Sequence, residues 1–317
     1  MYCNFTLSNG KRLQTPLKKV LVLGATGFIG TYFVRHLNSG TEISLLQHRK
    51  KGCKKRYRIY NGSLQSFDWN QLVEIPQVIY HFARIPGRGI AGRYAAALQS
   101  RLANLRLINW IKTLDSPPLL VYCAGTLAFG SQHDLEVDEA FPLSPTSFAR
   151  QYAIGEQPLI DQLVKQQIPV QIMRPAWVYG DGSWFKNFYL HPIITRKKVP
   201  LYGNGNNWMS LIHVSDVCDM IRYLSTHGPI YNTYNLFSVK PLKQIELANL
   251  LRRITGYPIE RIPLNKFKSI DKALREAFTF SLKVTTRHQN LYSGYRFHYP
   301  TLESGLEQVW QVYRNNM

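Results

Sequence analysis

Residues 18–37 read KKVLVLGATGFIGTYFVRHL, and this stretch decides the fold. VLVL at 20–23 is a short apolar run, flanked by Lys and closed by Gly24. That is the pattern of a strand buried on both faces. Gly24, Gly27 and Gly30 follow with the spacing G-x-x-G-x-x-G, and then Phe28, Ile29, Phe33, Val34 and Leu37 recur at helical spacing. One glycine permits the tight turn, one lets backbone approach a pyrophosphate, and one lets helix and strand pack closely. The helix N-terminus adds free N–H groups and a partial positive charge. A glycine triad alone is weak evidence. Between a strand and an amphipathic helix it points to a dinucleotide.

The next strand is EISLLQHR, residues 42–49. An acid at the end of this strand would hold the ribose 2′-hydroxyl of NAD. Here the end is Gln47, His48 and Arg49, followed by Lys50 and Lys51. Cations there favour a 2′-phosphate, hence NADP, with NAD as the alternative.

The chain of 317 residues is 45% hydrophobic and 18% charged, which describes a folded protein with a substantial core. It carries 39 Lys+Arg against 19 Asp+Glu, a formal charge of +20. Such an excess attracts anionic ligands or surfaces. Seven of the ten residues from Arg49 to Arg58 are basic, so part of the excess is local. No aromatic-plus-basic recognition motif accompanies it, so nucleic acid is not an expected partner. Cys3, Cys53, Cys123 and Cys218 lie far apart, as reduced thiols rather than a zinc site or a disulfide frame. The polar start MYCNFTLSNGKRLQ and the lack of a long apolar run predict a soluble, cytoplasmic protein without membrane insertion or metal.

Further stretches line up in order: VIYHFAR (78–84), VYCAGTLAFG (121–130), MRPAWVYGDG (173–182), LYGNGNNWMSLIHVSDV (201–217), YNLF (234–237) and KQIELANLLRRITG (243–256). With the glycine loop they resemble the extended short-chain dehydrogenase/reductase superfamily, of the NAD-dependent epimerase/dehydratase type. The ending GYRFHYPTLESGLEQV is similar to the tail of a poorly characterised branch of it. The resemblance implies an α/β fold, a doubly wound parallel (Rossmann) sheet with a smaller C-terminal substrate lobe. It implies a tail at 1–17, a dinucleotide-binding domain at 18–175 and 206–238, and a substrate lobe at 176–205 and 239–317. It assigns cofactor contacts to Gly24, Thr26, Gly27, Phe28, Ile29, Gly30, His48, Arg49, Ser63, Leu64, Phe82, Ala83, Tyr152 and Pro175. It also implies a small-molecule substrate and leaves room for a homodimer.

The same resemblance exposes what is missing. Family members pass a proton through a Tyr, a Lys four residues later, and a Ser or Thr at the end of the fifth strand. A phenol titrates near 10 and is a poor base at neutral pH unless a cation lowers it. SFARQYAIGE, residues 147–156, reads as a helix opening with Ser147 as N-cap and with Phe148 and Tyr152 on one face. Phe148 holds the Tyr place, Tyr152 the Lys place, and Gly125 the Ser/Thr place beside Thr126. Glu156 anchors this register. The active site is therefore degenerate, and Tyr152 and Thr126 are the remaining catalytic candidates. His81 reads as a hydrogen-bonded core residue. Ser63 stands where an Asp usually contacts adenine. Met209 stands where nucleotide-sugar enzymes grip the diphosphate with an Arg.

Aromatics crowd the loop after RPA: Trp177, Tyr179, Trp184, Phe185, Phe188 and Tyr189, with Trp208 later. Thr126, Phe148, Trp177, Tyr179 and Trp208 are the expected substrate contacts. Their character suits a lipid-like, aromatic or polyketide-type ligand better than a sugar. Two functions remain. One is an atypical reductase, isomerase or cyclase. The other is a non-catalytic NADP(H)-binding sensor or inactive partner subunit.

Overall fold

VLVL lies in β1 (Lys19–Leu23), inside a seven-stranded sheet. The computed structural model describes residues 18–37, 40–48, 57–238, 240–267, 276 and 278–315. The other sheet strands are β2 (Glu42–Gln47), β3 (Arg58–Asn61), β4 (Val78–His81), β5 (Leu119–Cys123), β6 (Val170–Pro175) and β7 (Asn232–Leu236). Their order is β7-β6-β5-β4-β1-β2-β3. Every pair from β3 to β6 is parallel. β7 continues the sheet beside β6, where Tyr231 N donates to Val170 O at 2.7 Å and Ala176 N to Leu236 O at 2.9 Å.

The strand order reverses between β1 and β4, and helices connect β1 to β2, β4 to β5, β5 to β6 and β6 to β7: the doubly wound arrangement predicted for this sequence. β4, β5 and β6 are buried along their whole length, as parallel strands covered on both faces must be. Helix α1 (Phe28–His36) follows β1, α2 (Gly89–Lys112) follows β4, and α3 (Arg150–Lys165) precedes β6. α1 buries Gly30, Phe33 and Val34, the face its spacing predicts.

The described residues divide into two compact units. One draws on Met1–Cys123, Ile154–Met173 and Met220–Tyr234, the other on Ala124–Ala153, Arg174–Asp219 and Asn235–Met317. These cuts fall elsewhere than the expected lobes, which kept 124–153 and 206–219 with the nucleotide domain. Packing gives the reason: Phe129 and Val137 are buried with Ala176, Phe280, Leu282 and Val284, all of the second unit.

The second unit has its own apolar centre around Tyr179, Tyr189, Tyr202, Met209, Leu247 and Leu306. Its helices α4 (Val214–His227, shared with the first unit), α5 (Gln244–Thr255) and α6 (Leu302–Asn315) begin with Asp216, Glu246 and Glu303 in their first turns. Asp216 ties the tail GYRFHYP to the IHVSD stretch. Its fully buried carboxylate accepts from His298 N at 2.7 Å and Tyr299 N at 3.3 Å. Burial raises its pKa, against these two N–H groups, which lower it. Beside it the His298 imidazole pairs with Asp219, and the Tyr299 ring lies 4.2 Å from that of His213.

Candidate functional site

The first unit carries a cradle of main-chain groups. β1 ends in Gly24, at φ +83. A Cβ there would lie 2.5 Å from Ala83 N, and one on Gly30 would lie 2.2 Å from Gly24 O. Neither position admits a side chain, because two stretches of backbone already meet there. Gly27 is exposed and caps α1 without a side-chain hydrogen bond, and the first turn of α1 holds no acid. The N-cap residue therefore offers the leading N–H groups no side chain. Thr26, Phe28 and Ile29 are half-buried around this turn. Phe82 N donates to Leu23 O at 2.8 Å, and Phe82 packs 4.9 Å from Phe33, which brings Phe82 and Ala83 beside the glycines.

At the end of β2, His48 is exposed, while Arg49, Lys50 and Lys51 lie outside the described residues. Gln47 is only 6% exposed, and among the described residues its Nε2 has no hydrogen-bond partner. The Ser63 hydroxyl serves its own turn, bonding Ser66 Oγ at 2.8 Å and accepting from Ser66 N at 3.2 Å. Leu64 is half-buried next to it. A helix start with glycine as its cap, a turn that only glycine fits and a buried side-chain amide without a partner among the described residues suit a dinucleotide phosphate and ribose.

Gly125, Thr126, Phe148, Tyr152 and Pro175 all lie in the second unit. Thr126 is buried, and its hydroxyl donates to Pro175 O at 3.4 Å. Arg174, 2% exposed, donates from Nη1 to Gly125 O at 3.3 Å and lies 5.5 Å from the Phe129 ring centre. The Phe148 and Tyr152 rings meet edge to face at 5.6 Å, as their spacing predicts. The helix cap differs from expectation. Thr146, not Ser147, closes the turn: its Oγ accepts from Ala149 N at 3.1 Å and its carbonyl from Arg150 N at 2.9 Å. Ser147 N instead donates to Glu276 Oε2 at 3.0 Å. Glu276 escaped sequence reasoning because 129 positions separate it from Ser147.

The aromatic residues part company. Trp177 is half-buried against Trp184 at 4.8 Å and Phe280 at 6.4 Å. Tyr179 is fully buried between Phe185 and His213, its hydroxyl has no partner among the described residues, and burial pushes its phenol far above the usual range. Trp208 donates from Nε1 to Asp134 at 2.7 Å and carries Lys283 over its ring at 4.4 Å. It borders a cavity of about 380 Å³ shared with His133, Tyr202, Asn204, Asn206 and Ser281. Met209 is 4% exposed within the apolar centre.

His81 is a core residue, 1% exposed. Its Nε2 bonds Asn104 Oδ1 at 3.0 Å, and Asn104 Nδ2 donates to Gly155 O at 2.8 Å. Burial pushes the imidazole down to about 4, against the Asn104 bond, so it is neutral at pH 7. Among the described residues no three His, Cys, Asp or Glu side chains are grouped to hold a metal ion, and no helix is long and apolar enough to cross a membrane.

The model of the NAD dependent epimerase/dehydratase family matches residues 20–236. The chain belongs to that family. It is thereby a member of the extended short-chain dehydrogenase/reductase superfamily. The epimerase family protein YfhF of Bacillus subtilis is 30% identical, over 92% of this chain and 97% of that protein. The dTDP-4-dehydro-6-deoxy-D-allose reductase of Streptomyces bikiniensis is 23% identical, over 94% and 97%. Among solved structures, the human epimerase family protein SDR39U1 with NADPH superposes with a TM-score of 0.76 at 20% identity, covering 92% of this chain and 99% of that one. The dTDP-glucose 4,6-dehydratase of Bacillus anthracis, in complex with NAD, gives 0.76 at 20% identity, covering 94% and 97%. These two share the fold of this epimerase/dehydratase family member.

Proposed function

We propose that this family member binds NADP(H), with NAD the alternative, and acts as an atypical reductase, isomerase or cyclase on a non-sugar, partly apolar small molecule. The observation that carries this reading is a pairing of opposites. The glycine loop has backbone too close for a Cβ at Gly24 and Gly30 and a helix start without an acid or a capping side chain, which suits a dinucleotide. At the family's proton-handling places, Phe148 packs on Tyr152, and Gly125 offers no hydroxyl. Gly24, Thr26, Gly27, Phe28, Ile29 and Gly30 would hold the pyrophosphate, with Phe82, Ala83, Tyr152 and Pro175 along the rest of the nucleotide. When bound, the nicotinamide supplies or accepts a hydride.

The human relative with NADPH supports the phosphorylated nucleotide, and the Bacillus anthracis complex with NAD is why NAD stays the alternative. Met209 supports the non-sugar reading: it stands at the place where nucleotide-sugar enzymes have an Arg, and its side chain is packed into apolar surroundings. Trp177 and Phe148 are the substrate contacts in this reading, and Tyr179, closed in the core, has a packing role.

The second reading is a non-catalytic NADP(H) sensor or inactive partner subunit. The Thr126 hydroxyl favours it, being bonded to Pro175 O. The two separate on the purified protein. Bound nucleotide is identified by absorbance and mass, then hydride exchange is followed with deuterated NADPH. Exchange supports the enzyme, binding without exchange supports the sensor, and no nucleotide binding refutes both.

A homodimer is part of the proposal. Ile90, Tyr94, Leu98 and Leu102 recur at every fourth position of α2, exposed by 84, 59, 39 and 61%. An evenly spaced row reads the same in both directions, so an antiparallel second copy would oppose Ile90 to Leu102 and Tyr94 to Leu98.

A further inference from the structure

We propose that the cavity beside Trp208 is a binding site in its own right, and that it takes a neutral polyhydroxylated ligand, a sugar ring. Trp208 stands out among the aromatics of the sequence, yet it takes no part in the NADP(H) reading. The inference does not depend on that reading.

The cavity holds about 380 Å³, within the span of small-molecule sites, about 300–1,000 Å³. Every residue that lines it belongs to the second unit. Strand alternation sets its walls. Trp208 and Met209 are neighbours in one short strand and face opposite ways: Met209 is packed in the apolar centre, and Trp208 borders the cavity. Phe278, Phe280 and Leu282 are likewise buried in apolar clusters, while Thr279 and Ser281 between them line the cavity. The cavity therefore lies on the far side of these segments from the apolar packing. Phe148 and Trp177, the substrate contacts proposed above, do not line it.

Its walls hold donors and acceptors together. Asn204 Oδ1 accepts from Asn206 N at 3.0 Å, Asn207 Nδ2 donates to Phe280 O at 3.1 Å, and Ser281 Oγ accepts from Trp208 N at 3.0 Å. Each bond engages one side of its side chain. The amide N–H pair of Asn204, Oδ1 of Asn207 and the hydroxyl hydrogen of Ser281 are left for another partner. His133, on the same wall, holds a left-handed backbone at φ 53, which residues with side chains adopt seldom and often at ligand sites.

Charge excludes an ion as the ligand. Asp134 Oδ1 accepts from Trp208 Nε1 at 2.7 Å and lies 3.9 Å from Lys283 Nζ, which itself sits 4.4 Å over the Trp208 ring. An anion would meet the carboxylate and a cation the ammonium. A neutral group that donates and accepts at adjacent atoms fits both, and vicinal hydroxyls do so, because each O–H does both. Leu264 adds an aliphatic wall for ring C–H groups.

The test is titration of the isotope-labelled full chain, free of nucleotide, with methyl glycosides of glucose, galactose, mannose and N-acetylglucosamine, with maltotriose, and with inorganic phosphate. The readout is the indole N–H resonance of Trp208, assigned by its loss in Trp208→Phe. At least one neutral sugar is expected to move that signal saturably, and phosphate is not. Tighter binding of maltotriose than of the single rings would mark a glycan chain as the ligand, and equal binding a free monosaccharide. Asn206→Leu, at an exposed position, removes an amide from the wall and should weaken binding about fivefold or more. His133→Ala, also exposed, should act in the same direction. The inference is overturned if no sugar moves the signal, if phosphate alone moves it, or if both variants bind sugar as the native protein does. NADPH titrated onto the same samples keeps the two readings apart: it should bind the native protein and both variants alike, and its failure to bind would leave the sugar result standing.

Discussion

The glycine cradle of the first unit and the Phe148–Tyr152 pair of the second are built on opposite economies of side chains. The cradle works by having none: a Cβ on Gly24 or Gly30 would strike backbone, and Gly27 leaves the start of α1 open. In the proposed reading the pair puts two large rings where the family keeps a phenol and an ammonium, and the rings pack edge to face. Binding by backbone survives changes of side chain, whereas proton transfer depends on side chains alone. A protein can therefore keep the grip on a nucleotide and lose the family's chemistry.

The largest effect should come from restoring the missing chemistry. The double variant Phe148→Tyr with Tyr152→Lys is expected to raise generic carbonyl reduction by about a hundredfold or more, the range of general acid–base catalysis. The assay is NADPH oxidation with simple ketones. No gain, with nucleotide still bound, would show that the contrast runs deeper than those two side chains.

Attacking the cradle is next. Gly27→Asp places a negative charge where phosphates are proposed to rest. NADPH affinity should fall about a hundredfold, roughly 3 kcal/mol. The thermal midpoint of the nucleotide-free protein should change little, because Gly27 is exposed. Unchanged affinity would sink the cradle.

The first unit also carries a pH signature. His81 titrates near 6.5 when unfolded and about 4 when folded, so the unfolded state binds more protons between these values. Stability should be full above about pH 6.5 and fall as the pH drops toward 4, by up to about 3 kcal/mol. Urea unfolding at a series of pH values measures it. His81→Gln should flatten that slope.

In the second unit, Asp216→Ala should free the backbone amides of His298 and Tyr299. Their hydrogen exchange is expected to speed up about tenfold, with nucleotide binding unchanged. The smallest effect on either region should be that of Leu102→Glu. It is expected to convert a dimer to a monomer in light scattering while leaving affinity for NADPH within about twofold.

Some of this was readable before any coordinates. The strand, the three glycines and the helix could be read because each demand is local: φ, spacing and periodicity act within a few residues. Phe148 and Tyr152 met because one helical turn brings them together. The cap slipped by one residue, from Ser147 to Thr146, because both hydroxyls precede the helix and packing decides which turns inward. Tyr179 could not be distinguished from Trp177 by composition, although one is sealed in the core and the other half open.

Residues 18–37 were enough to specify a dinucleotide fold, because backbone geometry and helix periodicity are written in neighbouring residues. The proposed loss of the proton relay was read just as locally, from Gly125, Phe148 and Tyr152 at the family's spacings. Tertiary structure alone decided that Gln47 Nε2 is buried without a partner among the described residues and that Asp216 holds amides 82 and 83 positions away. It also decided that Glu276 reaches Ser147. Burial and long-range hydrogen bonds depend on which distant segments pack together, and no short window of sequence contains that information.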